Sequence, residues 1–279
     1  VTMTAVRRAL WVVRAWLRRR GWLPPEVLPP GVRVTTYNIG RGAQGDRGAR
    51  STTLDRVAAT IAAERPDVVA LQEAHEDDLP VIVAHLRDDH DLEYESRFAA
   101  ALDRDAMAAV VGRARLRAGF DEAFWADRGS AFGVALLSRA PLTEVEVVEL
   151  PGNGERRIAL RARTEVAGVA VTVVATHLAT ARRSTEQRDQ TRALAALVAT
   201  VEGPVVVAGD LNQEAAAVAA ALAGTGTRLR PATDPDAPTL GARTIDHVLV
   251  SPDVEARGAK VGEEGVSDHR PVTVALALR

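Results

Sequence analysis

The chain has 279 residues, enough to bury a sizeable core in one large domain or two small ones. It contains no cysteine, which excludes disulfides and thiolate metal sites and fits a cytoplasmic protein. The formal net charge of −2 gives no general basis for binding polyanions, and Lys260 is the only lysine among 35 basic residues. The charge is unevenly placed. Arg7, Arg8, Arg14, Arg18, Arg19 and Arg20 put +6 on the first twenty residues, so −2 overall leaves −8 on the rest. An acidic body suits a metal-binding carboxylate cluster, or simply a solvated surface.

Residues 3–20 read as a basic amphipathic helix. Met3, Val6, Leu10, Val13 and Leu17 recur at helical spacing, with Trp11 and Trp16 beside them. The apolar run falls short of the roughly 18 residues of a membrane span, and no small-residue cleavage site follows. Such a segment docks on a membrane surface or a partner, folds against its own domain, or is upstream sequence from a misplaced start, which Val1 in place of Met leaves open. Pro24, Pro25, Pro29 and Pro30 form a stiff linker. The expected division is therefore a helix in 1–23, a linker in 24–31 and the domain proper in 32–279.

Eight apolar runs then read as strands: VRVTTYN, DVVALQE, FGVALLS, IALRARTEV, VAVTVVATH, PVVVAGDLN, TIDHVLVS and VTVALAL. Several are apolar on both faces, as expected for strands covered on both sides. The fourth and fifth, joined at Ala167-Gly168, look like a hairpin. Leu54, Val57, Ala58, Ile61 and Ala62 make one face of a helix that Pro66 stops. Ser184 with Gln187 has the spacing of a capping box opening a helix to about Thr200. The stretch from Ala74 to Ser130 is the least readable, mixing helical pattern with charge, and suggests variable loops; His75, His85 and His90, set among acids there, read as solvated.

The chemistry lies in where the polar residues fall. Asn38, Glu73, His177, Asp210 and Asn212 each end an apolar run, and Asp246 and the pair Asp268-His269 sit in or just before late strands. Burying acids and amides beside such runs is costly unless they are paired or hold a metal. One such residue is explained as a cap or turn, but eight on successive strands point to a common rim. Asp210 and Asn212, two apart, face the same way if extended, whereas adjacent Asp246 and His247 face opposite ways. Only one of that pair is expected to reach the site. Gly40, Gly42 and Gly45 form a literal GxGxxG, but Asp46, Arg47 and Gly48 follow in place of a helix start. That is the wrong setting for a dinucleotide fingerprint; a loop beside Asn38 that can approach substrate fits better. The chain has no GK[ST] phosphate loop, HExxH or GxSxG.

TTYNIG at 35–40, LQE at 71–73, THL at 176–178, GDLN at 209–212, IDHVLVS at 245–251 and SDHRPV at 267–272 resemble, in this order, the motifs of the endonuclease/exonuclease/phosphatase superfamily. The resemblance spans about residues 32–279. It implies an α/β fold of the DNase I-like kind, a four-layer αββα sandwich of two mixed sheets flanked by helices. The implied activity is divalent-metal-dependent hydrolysis of phosphate esters, most of all phosphodiesters, in a monomer.

By the same resemblance Glu73 is the main ligand of Mg²⁺ or Mn²⁺, helped by Asn38 and Asp268, all hard oxygen donors. His269 and Asp246 form a His–carboxylate pair. Asp210 positions or deprotonates the attacking water, Asn212 holds that water or a phosphate oxygen, and His177 contacts the phosphate and assists the leaving oxygen. Whether Asp210 or the His269–Asp246 pair is the base stays open. Arg157, with Arg156 as its rival, matches a position that turns an arginine toward the substrate phosphate. The motifs resemble the bacterial phosphodiesterase-like and sphingomyelinase-like branch more than the repair exonucleases, which carry tryptophan where Tyr37 stands. Nucleic acid, phospholipid headgroups, sugar phosphates and small diesters are the candidate substrates. The alternative is a non-catalytic phosphate-binding module. A cytoplasmic location with peripheral membrane contact through residues 3–20 completes the expectation.

Overall fold

The computed structural model describes residues 3–40, 50–103, 105–106, 109 and 131–279. After helix α1 (Met3–Arg19), strand β1 (Val32–Asn38) leads through α2 (Arg50–Ala62) to β2 (Val68–His75). Helix α3 (Leu79–His90), β3 (Glu95–Leu102) and β4 (Phe132–Ser138) follow. Then come β5 (Thr143–Leu150), β6 (Arg157–Val166) and β7 (Val169–His177). Helix α4 (Ser184–Ala199), β8 (Val205–Asp210) and α5 (Ala215–Leu222) precede β9 (Arg230–Pro231), β10 (Asp246–Val250), β11 (Val254–Val261) and β12 (Val272–Leu278). One six-stranded sheet has the order β11-β12-β1-β2-β4-β3 and the other β5-β6-β7-β8-β10-β9.

Three apolar layers account for the runs that are hydrophobic on both faces. Val32 and Val34 of β1, Val68 and Ala70 of β2, and Val173 and Ala175 of β7 meet between the sheets. The alternate residues Val69 and Leu71 pack outward with Leu54, Ile61 and Ile82 of α2 and α3. On the other side Val205 and Val207 of β8 pack with Leu194, Val198 and Val218 of α4 and α5. Helices thus cover both outer faces of two mixed sheets, the expected αββα sandwich.

Each sheet contains one parallel pair. β1 runs parallel to β2, and β7 to β8, each joined by a crossover helix. Parallel strands finish at the same end of a sheet, so Asn38 lies level with Gln72 and His177 with Asp210. Antiparallel β10 sets Asp246 directly opposite Asp210. Antiparallel β12 starts level with Thr36 and delivers the preceding Asp268 and His269 to the same end. Gly209 is dictated by this packing: a Cβ there would stand 2.1 Å from the Thr176 carbonyl oxygen.

The eight expected strands are present and the β6–β7 hairpin turns at Ala167 (φ 52) and Gly168 (φ 77), the left-handed pair a two-residue turn demands. Four strands were not anticipated, and three other expectations fail. The helical pattern of the 74–103 stretch is α3, but loops do not make up the rest, which holds the end of β2, a 3-10 turn and β3. His75 is buried rather than solvated, edge-on to Phe132 at 5.5 Å. Ser184 is already helical and makes no capping bond, because the Gln187 side chain turns inward instead. Gly42 and Gly45 of the glycine loop lie outside the described residues.

Candidate active site

Strand ends and two left-handed residues shape the site. Glu73 falls at a β-bulge where the register of β2 against β4 shifts between Gln72 and Ala74, with φ 55. A bulge re-aims its side chain, and a left-handed glutamate is a strained conformation of the kind that clusters at functional sites. Asn212 also has φ 54. Its backbone N–H donates to Asp210 Oδ1 at 2.8 Å, so Asp210 and Asn212 converge through a tight turn and not through the extended backbone that their spacing suggests.

Asp210 is the hub. Its Oδ2 accepts from Asn38 Nδ2 at 3.1 Å and lies 3.4 Å from His177 Nε2 and 3.8 Å from His269 Nε2. Asn38, on the other sheet, also reaches Glu73 Oε1 at 3.4 Å, and the Asn212 amide donates to His177 Nε2 at 3.2 Å. His269 Nδ1 donates to both oxygens of fully buried Asp246, at 3.1 and 3.0 Å. Seven of the predicted residues therefore form one connected cluster. Asp268 is exposed beside it, its Oδ1 3.4 Å from Ser267 Oγ and facing Gly40.

Arg157 and His177 line one small cavity with Ala101, Phe132 and Ile158. Arg157 is buried; it pairs with Glu155 at 3.1 Å, and its Nε has no hydrogen-bond partner among the described residues. Arg156 points elsewhere, bonding Glu149 and the Ala100 carbonyl on the exposed side. His247 faces away from Asp246, as adjacency requires. It donates from Nε2 to the Gln213 carbonyl (2.8 Å) and meets Thr233 Oγ1 at 3.0 Å, while burial holds its pKa below the usual value.

The electrostatics of the cluster are opposed. Burial, then the nearby charge of Asp246, pushes the Asp210 carboxyl up to about 7, against the pull of His269, the Asn212 N–H and Asn38. Burial alone would lower His269, but the bond to Asp246 and the charges of Asp246, Asp210 and Asp268 override it and raise the imidazole to about 9. The imidazolium form of His269 is thus favoured by its place between Asp246 and Asp210.

Ligand atoms of Asp210, Asp246 and His269 lie within 4.8 Å of one another, a spacing that also suits a metal. That trio is buried, with His269 Nδ1 bonded to Asp246, whereas in the predicted ligand set Glu73 is half-buried and Asp268 exposed. Asp55, His85 and Asp89 form a similar group between α2 and α3, where the His85–Asp89 pair (2.7 Å) lies at the surface.

Supporting residues escaped the sequence reading. Buried Gln187 donates to the carbonyls of Ala179 (2.7 Å) and Asn212 (2.9 Å), tying together the turns after β7 and β8. Thr239 Oγ1 accepts from the N–H groups of Ile245 and Asp246, and Ser267 Oγ donates to the Asn38 carbonyl while accepting from the His269 N–H. Gln187 and Gln190 carried a signal, two amides three apart on the buried face of α4. Thr239, in a stretch without periodicity, carried none.

The sequence pattern of the Endonuclease/Exonuclease/phosphatase family matches residues 35–269. No protein of curated function matches the sequence. Among solved structures, an endonuclease/exonuclease/phosphatase from Bacteroides vulgatus superimposes with a TM-score of 0.69 at 18% identity, covering 90% of this chain and 100% of that one. One from Beutenbergia cavernae gives 0.66 at 25% identity, covering 90% and 72%. The human nocturnin catalytic domain with bound sulfate gives 0.63 at 19% identity, covering 90% and 96%. Matched along most of its length and built on the same two-sheet sandwich, the chain belongs to the endonuclease/exonuclease/phosphatase family.

Proposed function

We propose that the protein is a divalent-metal-dependent phosphodiesterase in which activated water attacks phosphorus directly. The observation that carries this reading is the continuous network from Glu73 through Asn38 and Asp210 to His177, Asn212 and the His269–Asp246 pair, assembled from both sheets. Family members are in general phosphoesterases or nucleases. A Bacteroides thetaiotaomicron mannosyl-6-phosphatase shares the fold, at a TM-score of 0.63 and 17% identity, and the sulfate in nocturnin is an analogue of a phosphoryl group.

Glu73, Asn38 and Asp268 would hold the metal. Their donors are all hard oxygens, the chain has no thiolate to offer, and a bulge turns Glu73 to the rim, which suits Mg²⁺ or Mn²⁺. When bound, the ion neutralises charge on the nonbridging and leaving oxygens. Asp210 takes the proton of the attacking water, since a base works best with a pKa near the operating pH and its carboxylate is the hub of the cluster. The His269 imidazolium, fixed by Asp246, stabilises the anionic transition state, so the pair serves as electrostatic partner and not as base. Asn212 orients the water, His177 donates to the departing oxygen, and Arg157 holds a nonbridging phosphate oxygen. A body of charge −8 lacks the broad basic groove of a duplex-binding nuclease, so single diesters or lipid headgroups fit better.

Hydrolysis of bis-p-nitrophenyl phosphate with Mg²⁺, Mn²⁺ or EDTA, in wild type and Glu73→Ala, tests the reading, with plasmid DNA alongside. Metal-dependent release absent from the variant is expected. Equal release from folded Glu73→Ala protein overturns the metal assignment. No release from folded wild type favours a phosphate-binding module, and efficient nicking of DNA would make it a nuclease.

A further inference from the structure

Helix α1 sits on the body the wrong way round for an ordinary surface helix. At 100° per residue Met3, Val6, Leu10, Val13 and Leu17 share one face, and four of them are open to solvent: Met3 69%, Val6 42%, Leu10 53% and Val13 52%. The nearly opposite face, with Arg8, Trp11, Ala15 and Arg18, turns toward the protein and is less exposed. Polar contacts fix this orientation. Arg7 pairs with Asp236 at 3.3 Å, Arg19 with Glu263 at 3.3 Å, and Arg8 with Glu214 and the Ala242 carbonyl. The guanidinium of Arg270 lies 5.7 Å from the Trp11 ring.

We propose that α1 is an interfacial helix that docks the enzyme on an anionic lipid bilayer through this outward apolar stripe. Charge complementarity points to a bilayer. Arg7, Arg8, Arg18 and Arg19 are taken up in ion pairs with acids, so the charge offered outward is that of exposed Arg14 and Arg20, which border the stripe, above a body of net charge −8. Anionic headgroups attract the helix and repel the rest, which sets the docked orientation. Trp16 and Trp22, both exposed and edge-to-face at 5.4 Å, with Arg20 over Trp16 at 4.6 Å, close the carboxyl end. Amphipathic indoles with neighbouring guanidinium groups suit the headgroup layer. At 17 residues the helix lies in the plane, and no described helix is long and apolar enough to cross a membrane.

The docked helix borders the site described above. Glu214, held by Arg8, is two residues beyond Asn212, and Arg270, stacked on Trp11, follows His269. Docking therefore brings the rim next to the headgroup layer, where a phosphodiesterase meets lipid phosphodiesters; this last step rests on the proposed activity.

The test is flotation of the full chain with vesicles of phosphatidylcholine alone or with about 30% phosphatidylglycerol, comparing wild type with Leu10→Glu/Val13→Glu. Those two positions touch little of the body, so fold and turnover of bis-p-nitrophenyl phosphate should be unchanged. Wild type should bind anionic vesicles, release them at about 0.5 M salt, and lose at least about tenfold in partitioning with the double variant. Absence of wild-type binding, or equal binding by the variant, overturns the proposal. So does a wild-type dimer, by light scattering, that the variant converts to a monomer without any vesicle binding. Vesicle binding by a protein that hydrolyses nothing would leave docking intact and sink the hydrolase reading alone.

Discussion

Replacing Asp246 by asparagine keeps the shape of the cluster and removes one charge. In the native protein two of the forces that raise His269 to about 9 are the bond to Asp246 and its charge. Without them burial dominates, and the imidazole falls toward or below its ordinary value of about 6.5. At pH of about 7.5 the imidazolium fraction then drops from nearly all to about a tenth or less. Asp210 loses the Asp246 charge that helps raise it, so it ionises more readily and becomes a weaker base. Both changes reduce turnover. The expected fall in kcat is about 10²–10⁴-fold, with KM little altered because neither residue carries the ground-state phosphate. The residual rate should rise on mild acidification as the imidazolium returns, and fall again once Asp210, the base, takes up a proton. Steady-state kinetics on bis-p-nitrophenyl phosphate from pH of about 5.5 to 9, with the His269 ring titrated by NMR, checks both halves. Folded Asp246→Asn protein that keeps the wild-type rate and pH profile would refute the electrostatic role of the pair.

Glu73→Gln should abolish the thermal stabilisation that Mn²⁺ gives the wild type, which at a hundredfold excess over Kd is about 2.7 kcal/mol; a retained Tm shift would place the metal elsewhere. Arg157→Lys keeps the charge and loses the planar fork, so KM should rise about tenfold with kcat within about threefold, an effect absent from Arg156→Lys. Gly209→Ala must push the β7 backbone aside, because its Cβ would meet the Thr176 oxygen at 2.1 Å. Urea unfolding should show a loss of about 1–3 kcal/mol or more, and a neutral result would mean that the two strands separate easily. Stability should also depend on pH through two histidines of opposite sign. Unfolded His247 binds a proton below about 6.5 where the buried folded ring resists it, so stability falls as pH drops, by up to about 1.4 kcal/mol per unit. His269, raised to about 9, stabilises fully below about 6.5 and loses that contribution as pH climbs through about 9. His247→Gln should flatten only the acid limb of a urea-midpoint profile.

The strands legible in the sequence are those with apolar residues on both faces, because two-sided burial leaves little room for another reading. The missed strands lie at or near sheet edges. β5 is exposed along most of its length and β11 is partly buried or exposed beyond Val254, so TEVEVVEL and VEARGAKV look like charged loops when read alone. Their pairing is set by partners distant in sequence, which local pattern does not carry. His75 was misjudged for the same reason: its acidic neighbours Glu76 and Asp77 face solvent, while the strand it ends buries it against Phe132.

The site was legible in its residue types and opaque in its geometry. A polar residue at the end of an apolar run shows in the sequence, and the βαβ units of β1–β2 and β7–β8 turn that pattern into four functional groups at one end of two sheets. The order of contact does not show. Asp210 becomes the hub because β10 sets Asp246 across from it while Asn38 reaches over from the other sheet, and both facts depend on strand order. In the proposed mechanism strand order also sets the division of labour: buried Asp246 favours the charged form of His269, and the combined field raises Asp210 toward neutrality. A chain with the same motifs but β10 shifted by one residue would turn Asp246 to the other face and put His247 opposite Asp210. The register of that one strand therefore governs the chemistry as directly as any catalytic side chain does.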